Sequence, residues 1–95
     1  MLDKVKLVLR ISTDAFDDEI TDLINAAKLD LQLSGVRTDK ADKDSLLQQA
    51  ILLYCKSMFG LGNPDKAAYW NSYQSILTKL KLSSDYGMHE TGAEA

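Results

Sequence analysis

The stretch L-L-Q-Q-A-I-L-L-Y-C-K-S-M-F-G-L-G-N-P, Leu46 to Pro64, decides the fold. Apolar residues recur in it at helical spacing, and only a narrow polar strip around Gln49 and Lys56 interrupts them. A helix that is apolar nearly all round is a central one, so this stretch predicts the middle helix of a bundle, from about Ser45 to Phe59. Its main stripe consists of Leu47, Ala50, Ile51, Tyr54 and Met58, flanked by Leu46, Leu53, Leu52, Cys55 and Phe59.

The residues after this helix predict a sharp stop and a new start. Gly60-Leu61-Gly62 ends the central helix, and Asn63-Pro64 supplies an N-cap followed by a proline at the first helical position. The next helix is predicted to run to about Leu82. One face of it is apolar and consists of Tyr69, Trp70, Tyr73, Ile76, Leu77 and Leu80.

Two helices are predicted before the central one. Leu2 to Ile11 has apolar residues at helical spacing, with Leu2, Val5, Val8 and Leu9 on one face, although its alternation would also suit a strand. An acidic turn then opens a helix that runs from about Asp17 to Ser34 and stops at Gly35. Its core stripe is Ile20, Leu23, Ile24, Ala27 and Leu31, and a second apolar stripe on the opposite side consists of Ala26, Leu29 and Leu33.

The remaining segments are polar. Residues 36–43 predict a surface loop, where we expect disorder, and Asp42 or Asp44 is placed to cap the central helix. The last residues contain two glycines and no apolar pattern, as is typical of a flexible tail. The sequence therefore predicts an all-α chain, with a bundle of about four helices in residues 1–83 and a flexible polar tail in residues 84–95.

Composition limits the classes of function. The 95 residues suit one domain, and their net charge of −3, with lysines and arginines scattered among acids, argues against a sequence-specific nucleic-acid binder. The longest strictly apolar run, Ala50 to Cys55, is far too short to cross a bilayer, and no secretory signal precedes it. A single cysteine cannot form an internal disulfide, so we expect a reducing compartment.

The sequence shows no obvious catalytic residues. The only histidine, His89, lies in the predicted tail, and Cys55 lies in the most apolar helix, where a thiol is usually an inert small hydrophobe. No histidine–cysteine spacing predicts a metal site, and no glycine-rich motif predicts a phosphate site. We therefore expect no enzymatic activity, no metal and no cofactor.

Two clusters allow a second interpretation. Asp14, Asp17, Asp18 and Glu19 could bind a divalent cation, but acids at a helix start also match the positive end of the helix dipole, which we prefer. Tyr69, Trp70 and Tyr73 could contact a partner protein, whereas their shared apolar face favours packing in the core.

Three stretches in this order resemble one family. They are L-D-K-V-K-L-V-L-R-I (Leu2 to Ile11), F-D-D-E-I-T-D-L-I-N-A-A-K (Phe16 to Lys28), and the central segment extended to Lys66. Together they resemble the head–tail connectors, or DNA-packaging adaptors, of tailed phages, in particular those of prophages from Gram-positive bacteria. The likeness covers about residues 2 to 86.

The resemblance implies a structural subunit of a homo-oligomeric ring, expected to be a dodecamer, at the virion head–tail junction after assembly in the host cytoplasm. Such a ring docks on the capsid portal, extends the DNA channel and seats a downstream head-completion or tail protein. The expected site residues are Ala26, Leu29 and Leu33 between subunits, Tyr69, Trp70 and Tyr73 toward a partner, and Asp39, Asp42 and Asp44 facing the channel. The alternatives are a helical regulatory module that binds one protein partner, and an acidic DNA mimic.

Overall fold

The computed structural model describes residues 1–60 and 63–87, and it confirms the predicted all-α fold. Four helices follow in chain order: α1 (Leu2–Leu9), α2 (Asp17–Leu33), α3 (Ser45–Met58) and α4 (Lys66–Leu82). The described residues form no strand; their only β pairing is an isolated bridge between Val36 and Gly87.

Helix α3 is the centre of the bundle, as predicted. It packs against α1, α2 and α4, and α1 also packs against α2. Its buried apolar residues lie on more than one side, so one helix supplies core contacts to all three of the others. These residues are Leu47, Ala50, Ile51, Leu53 and Cys55.

Helix α1 resolves the choice between helix and strand. Val5 is fully buried, and the helix ends where Arg10 adopts the left-handed backbone conformation, with φ of 61°. The Arg10 and Ile11 amides then donate to the carbonyls of Leu7 and Lys6, which closes the last turn. Val8, which helical spacing placed on the same face as Val5, has a side chain that is 36 % exposed.

Helix α2 follows its predicted limits and core stripe. Gly35 has a φ of 94° and its amide donates to the Gln32 carbonyl, which confirms the predicted glycine stop. Of the predicted core stripe, Leu23 is partly buried against the core and the other four residues are buried: Ile20, Ile24, Ala27 and Leu31.

The start of α4 differs from the prediction. Asn63 is not the N-cap of the helix, because α4 begins at Lys66 and Asp65 occupies the cap position. Instead, the Asn63 side-chain oxygen accepts a hydrogen bond from the Asp65 amide, which makes a turn through Pro64 just before the helix. The Asn63 side-chain amide also donates to the Lys56 carbonyl near the end of α3, so this residue holds the α3–α4 connection.

The loop of residues 36–43 packs against the bundle, contrary to the prediction of a disordered loop, and so do residues 84–87. Val36 and Ala41 are buried in the core, and the Arg37 amide donates to the Tyr86 carbonyl at 2.8 Å. Residues 84–87 therefore belong to the folded part of the chain rather than to a tail that begins at 84. Residues 88–95, where we predicted the rest of the tail and His89, lie outside the described residues.

Candidate functional site

The side of α2 that faces away from the bundle carries large apolar side chains. Leu29 is 55 % exposed and Leu33 is 80 % exposed, while Ala26 is half-buried at the margin of the same face. We call these three residues the α2 outer face. The structure thus places the predicted interface residues on the surface, away from the core stripe on the other side of the helix.

A second exposed apolar surface lies on α1. Leu7 is 77 % exposed and Val8 36 %, and we call these two residues the α1 outer face. Leu2 and Leu9 lie on the other side of the helix, with buried Val5, and pack against the core. On α4 the largest exposed apolar side chain is Leu82, at the last residue of the helix.

Charges on these two helices differ in sign. Every exposed charged residue of α2 is an acid, namely Asp18, Glu19 and Asp22. On α1 and its cap the exposed charges are Asp3, Lys4 and Arg10, so bases predominate. The exposed charge is therefore net positive around the α1 outer face and negative on α2.

The acidic turn before α2 has a cationic partner inside the subunit. The Lys6 ammonium lies 2.8 Å from a carboxylate oxygen of Asp17 and 3.1 Å from one of Asp14. These two carboxylates, Asp17 first, raise the pKa of Lys6 above its usual value. Asp17, Asp18 and Glu19 lie in the first turn of α2, as the helix-dipole interpretation predicted. In the described ranges, no three acidic, histidine or cysteine side chains are grouped to hold a metal ion.

The aromatic face of α4 is divided between the core and the surface. Tyr73 is fully buried, and its hydroxyl donates to a carboxylate oxygen of Asp30 on α2. Its ring centroid lies 5.3 Å from those of both Trp70 and Tyr54. A fully buried side chain cannot contact a partner in this conformation, so the predicted partner contact does not include Tyr73.

Tyr69 and Trp70 remain partly exposed. The Lys56 ammonium lies 4.4 Å from the centre of the Tyr69 ring, a cation–π distance. Trp70 lines a shallow, open depression beside the end of α3. Met58, predicted in the core stripe, is 42 % exposed here because it lies in the last turn of α3, at the end of the bundle. The depression is lined by Ser57, Met58, Lys66, Ala67 and Trp70.

The three acids predicted to face a channel have different surroundings. Asp44 is the N-cap of α3 and accepts hydrogen bonds from the Leu46 and Leu47 amides at 2.9 and 3.1 Å. It also accepts one from the Tyr86 hydroxyl at 2.8 Å. The Leu47 amide, followed by the Tyr86 hydroxyl, lowers the pKa of Asp44. Asp44 therefore has a structural role, whereas Asp39 and Asp42 have exposed side chains.

Cys55 has the environment of a structural thiol. It is fully buried in α3, and burial raises its pKa to about 12. A thiol with so high a pKa is almost entirely protonated near neutral pH and is therefore a poor nucleophile. None of the helices in the described ranges is both long and apolar enough to cross a membrane.

Sequence reasoning missed three polar residues that connect elements of the bundle. Gln48 is nearly buried; its side-chain amide donates to the Asp42 carbonyl, and its side-chain oxygen accepts from Lys4. Asp30 pairs with Tyr73, and Tyr86 pairs with Asp44. Only Tyr86 carried a visible signal, as the one aromatic residue in an otherwise polar segment.

A comparison with protein families matches this chain to the family described as phage connector protein, over residues 1–87. Comparison with curated proteins and with solved structures found no match. The family match covers all four helices and the packed segment after α4, so it concerns the whole described bundle rather than one motif. The chain belongs to the phage connector protein family.

Proposed function

We propose that this chain is a structural subunit of a head–tail connector ring, which docks on the capsid portal, extends the DNA channel and seats the next head-completion protein. The observation that carries the proposal is the family match across the entire described bundle. A connector role at the junction of phage head and tail follows from that membership. The dodecameric ring, the portal contact, a prophage of a Gram-positive host and assembly in the host cytoplasm are our extensions of it.

The α2 outer face supplies the ring contact in this proposal. A small protein that leaves neighbouring leucines largely exposed often uses them in an interface. In a ring, each subunit meets its neighbour through two different surfaces, so the α2 outer face pairs with another part of the next copy.

The depression beside Trp70 supplies the contact with the portal or with the next head-completion protein. Its walls are mainly apolar side chains around a half-buried tryptophan, a residue that frequently anchors protein interfaces. Tyr69 lies next to it on α4, and buried Tyr73 supports the Trp70 ring from within. Asp39 and Asp42, together with the net charge of −3, would repel DNA and let it slide through the channel.

We further propose that the chain has no catalytic activity. The buried, weakly ionised thiol of Cys55 supports this view. A ligand that binds only the folded state must raise the melting temperature. We therefore expect no rise with zinc, magnesium or ATP and no fall with EDTA, and a reproducible shift with any of them would contradict the proposal.

The test is assembly on the cognate portal. The purified chain is mixed with portal-containing capsids, and negative-stain images are compared with those of capsids alone. We expect an additional ring at the portal vertex, whereas no added density at saturating protein would contradict the proposal.

A matched pair of variants tests the ring contact. Leu33 and Leu82 are 80 % and 78 % exposed, so lysine at either position should leave the fold intact. Leu33→Lys should fail to complete heads in a phage-complementation assay, and Leu82→Lys should succeed. If both variants complete heads equally well, the ring contact does not involve the α2 outer face.

A further inference from the structure

The α1 and α2 outer faces lie at different ends of α2. Lys6, the neighbour of Leu7, contacts Asp17 at the first residue of α2. Leu29 and Leu33 lie about 18 and 24 Å further along that helix at a rise of 1.5 Å per residue. The two faces therefore cannot cover each other within one subunit, and both are available to another chain.

Apolar area favours α1 over α4 as the surface that meets the α2 outer face. The α1 outer face has two exposed apolar residues, Leu7 and Val8, that follow each other in the chain. On α4 the solvent side before Leu82 carries mostly polar residues: Asn71, Ser72, Ser75, Thr78 and Lys79. A subunit contact needs apolar side chains at its centre, and α1 exposes two large ones where α4 exposes one.

Charge also favours α1 against the acidic α2. The exposed charges of α2 are all acidic, so two copies of this helix placed face to face would repel each other. Around Leu7, the acid Asp3 and the base Lys4 lie one turn before it and the base Arg10, the C-cap of α1, lies one turn after it, so the exposed charge on this side is net positive. When Leu7 packs near Leu29 with the two helices aligned, one of these two bases lies toward the end of α2 that carries Asp22.

We infer that the α1 outer face of one copy packs on the α2 outer face of the next copy, head to tail. This inference rests on the proposed ring function and specifies its subunit contact. The contact is heterologous: the same two surfaces occur on every copy, and each copy uses both. It also makes the acidic flank of α2 and the basic flank of α1 neighbours across the ring contact.

Site-directed cross-linking tests this pairing in the intact chain. Leu7→Cys and Leu29→Cys variants are prepared separately, with a tag on one of them so that the mixed dimer has its own mass. They are mixed, bound to portal-containing capsids and treated with a short bis-maleimide. Native Cys55 stays in place, because its burial and its pKa of about 12 keep it unreactive in the folded protein.

We expect the 7–29 mixed dimer to form several-fold faster than dimers of either variant with itself. Leu82→Cys mixed with Leu29→Cys is the matched control for α4, and Ser72→Cys measures random collisions. Faster 82–29 or 29–29 cross-linking on portal-bound protein would overturn the inference while leaving the ring function in place. Failure of the wild-type chain to bind capsids at all would instead overturn the proposed function, and the inference with it.

Discussion

Replacing Tyr73 with phenylalanine tests whether the aromatic face of α4 belongs to the core. The substitution keeps the buried ring and its contacts with Tyr54 and Trp70. It removes only the hydroxyl that donates to Asp30 on α2. This hydrogen bond ties α4 directly to α2, two helices that otherwise meet mainly through α3.

The expected loss follows from the charge and burial of the acceptor. A hydrogen bond to a charged group contributes about 1.5–3 kcal/mol to stability. Asp30 is half-buried, so its freed carboxylate regains part of its hydration, and we expect the lower end of that range. In a domain of this size 1 kcal/mol corresponds to about 4–8 °C, so the melting temperature should fall by roughly 6–12 °C.

Urea denaturation followed by circular dichroism measures this loss. Tyr69→Phe is the control, because within the described residues the Tyr69 hydroxyl makes no hydrogen bond and the ring keeps its contact with Lys56. Its midpoint should stay close to that of the wild type. A double-mutant cycle with Asp30→Ala isolates the pair, and a coupling energy near zero would refute the assignment of Tyr73 to the core contact with α2.

The same pair predicts sensitivity to alkali. Burial, and then the hydrogen bond to Asp30, raises the pKa of Tyr73 above its usual value of 10.0. The folded state therefore keeps the hydroxyl protonated at a pH where the unfolded chain loses its proton. Stability from this group is fully present below about pH 10 and falls as the pH rises further. The free energy of unfolding should decline more steeply above pH 10 in the wild type than in Tyr73→Phe, and parallel declines would contradict this reasoning.

Three further substitutions test the frame of the bundle. Ile51→Asp should leave the chain unfolded in circular dichroism, because an unpaired carboxylate in the centre of the core costs several kcal/mol out of a total of about 5–15; a cooperative melt near the wild-type temperature would refute the central position of α3. Asn63→Ala should lower the free energy of unfolding by about 1–2 kcal/mol, since it loses the bonds to the Asp65 amide and the Lys56 carbonyl; an unchanged urea midpoint would show that this turn contributes nothing. The pKa of Asp44 is lowered in the folded chain, so its contribution to stability is present above the pKa that it has in the unfolded chain and is lost as the pH falls through its pKa in the folded chain. Asp44→Asn should therefore reduce the loss of stability in acid. An unaltered dependence of stability on acidic pH would argue against the cap.

Much of the fold could be predicted because its signals are local. The apolar spacing of α3 and the glycine that ends α2 each depend on residues within a few positions of one another. The start of α4 was placed too early for a chemical reason. An asparagine side chain accepts a backbone amide hydrogen bond two residues later both in a helix cap and in a preceding turn, and the sequence cannot distinguish them.

The contacts that sequence reasoning missed are long-range. Val36 pairs with Gly87, and Asp44 pairs with Tyr86, between segments that lie far apart in the chain. Each local segment looked polar and therefore unpacked. Their burial depends on the packing of α3 against α4, which places the segment before α3 beside the segment after α4. No pattern within either segment encodes this packing.

The exposed leucines of α1 and α2 follow from how this small bundle uses its central helix. The apolar sides of helix α3 pack against α1, α2 and α4. No other helix of the described chain remains to cover the far sides of α1 and α2. Sequence periodicity could therefore identify Leu29 and Leu33 as lying opposite the core, and the structure confirms their exposure. It could not say what covers them, because a ring contact joins residues of two copies and leaves no periodic signal in one. The opposite net charges of the two exposed surfaces give a physical reason to choose α1 of the next subunit.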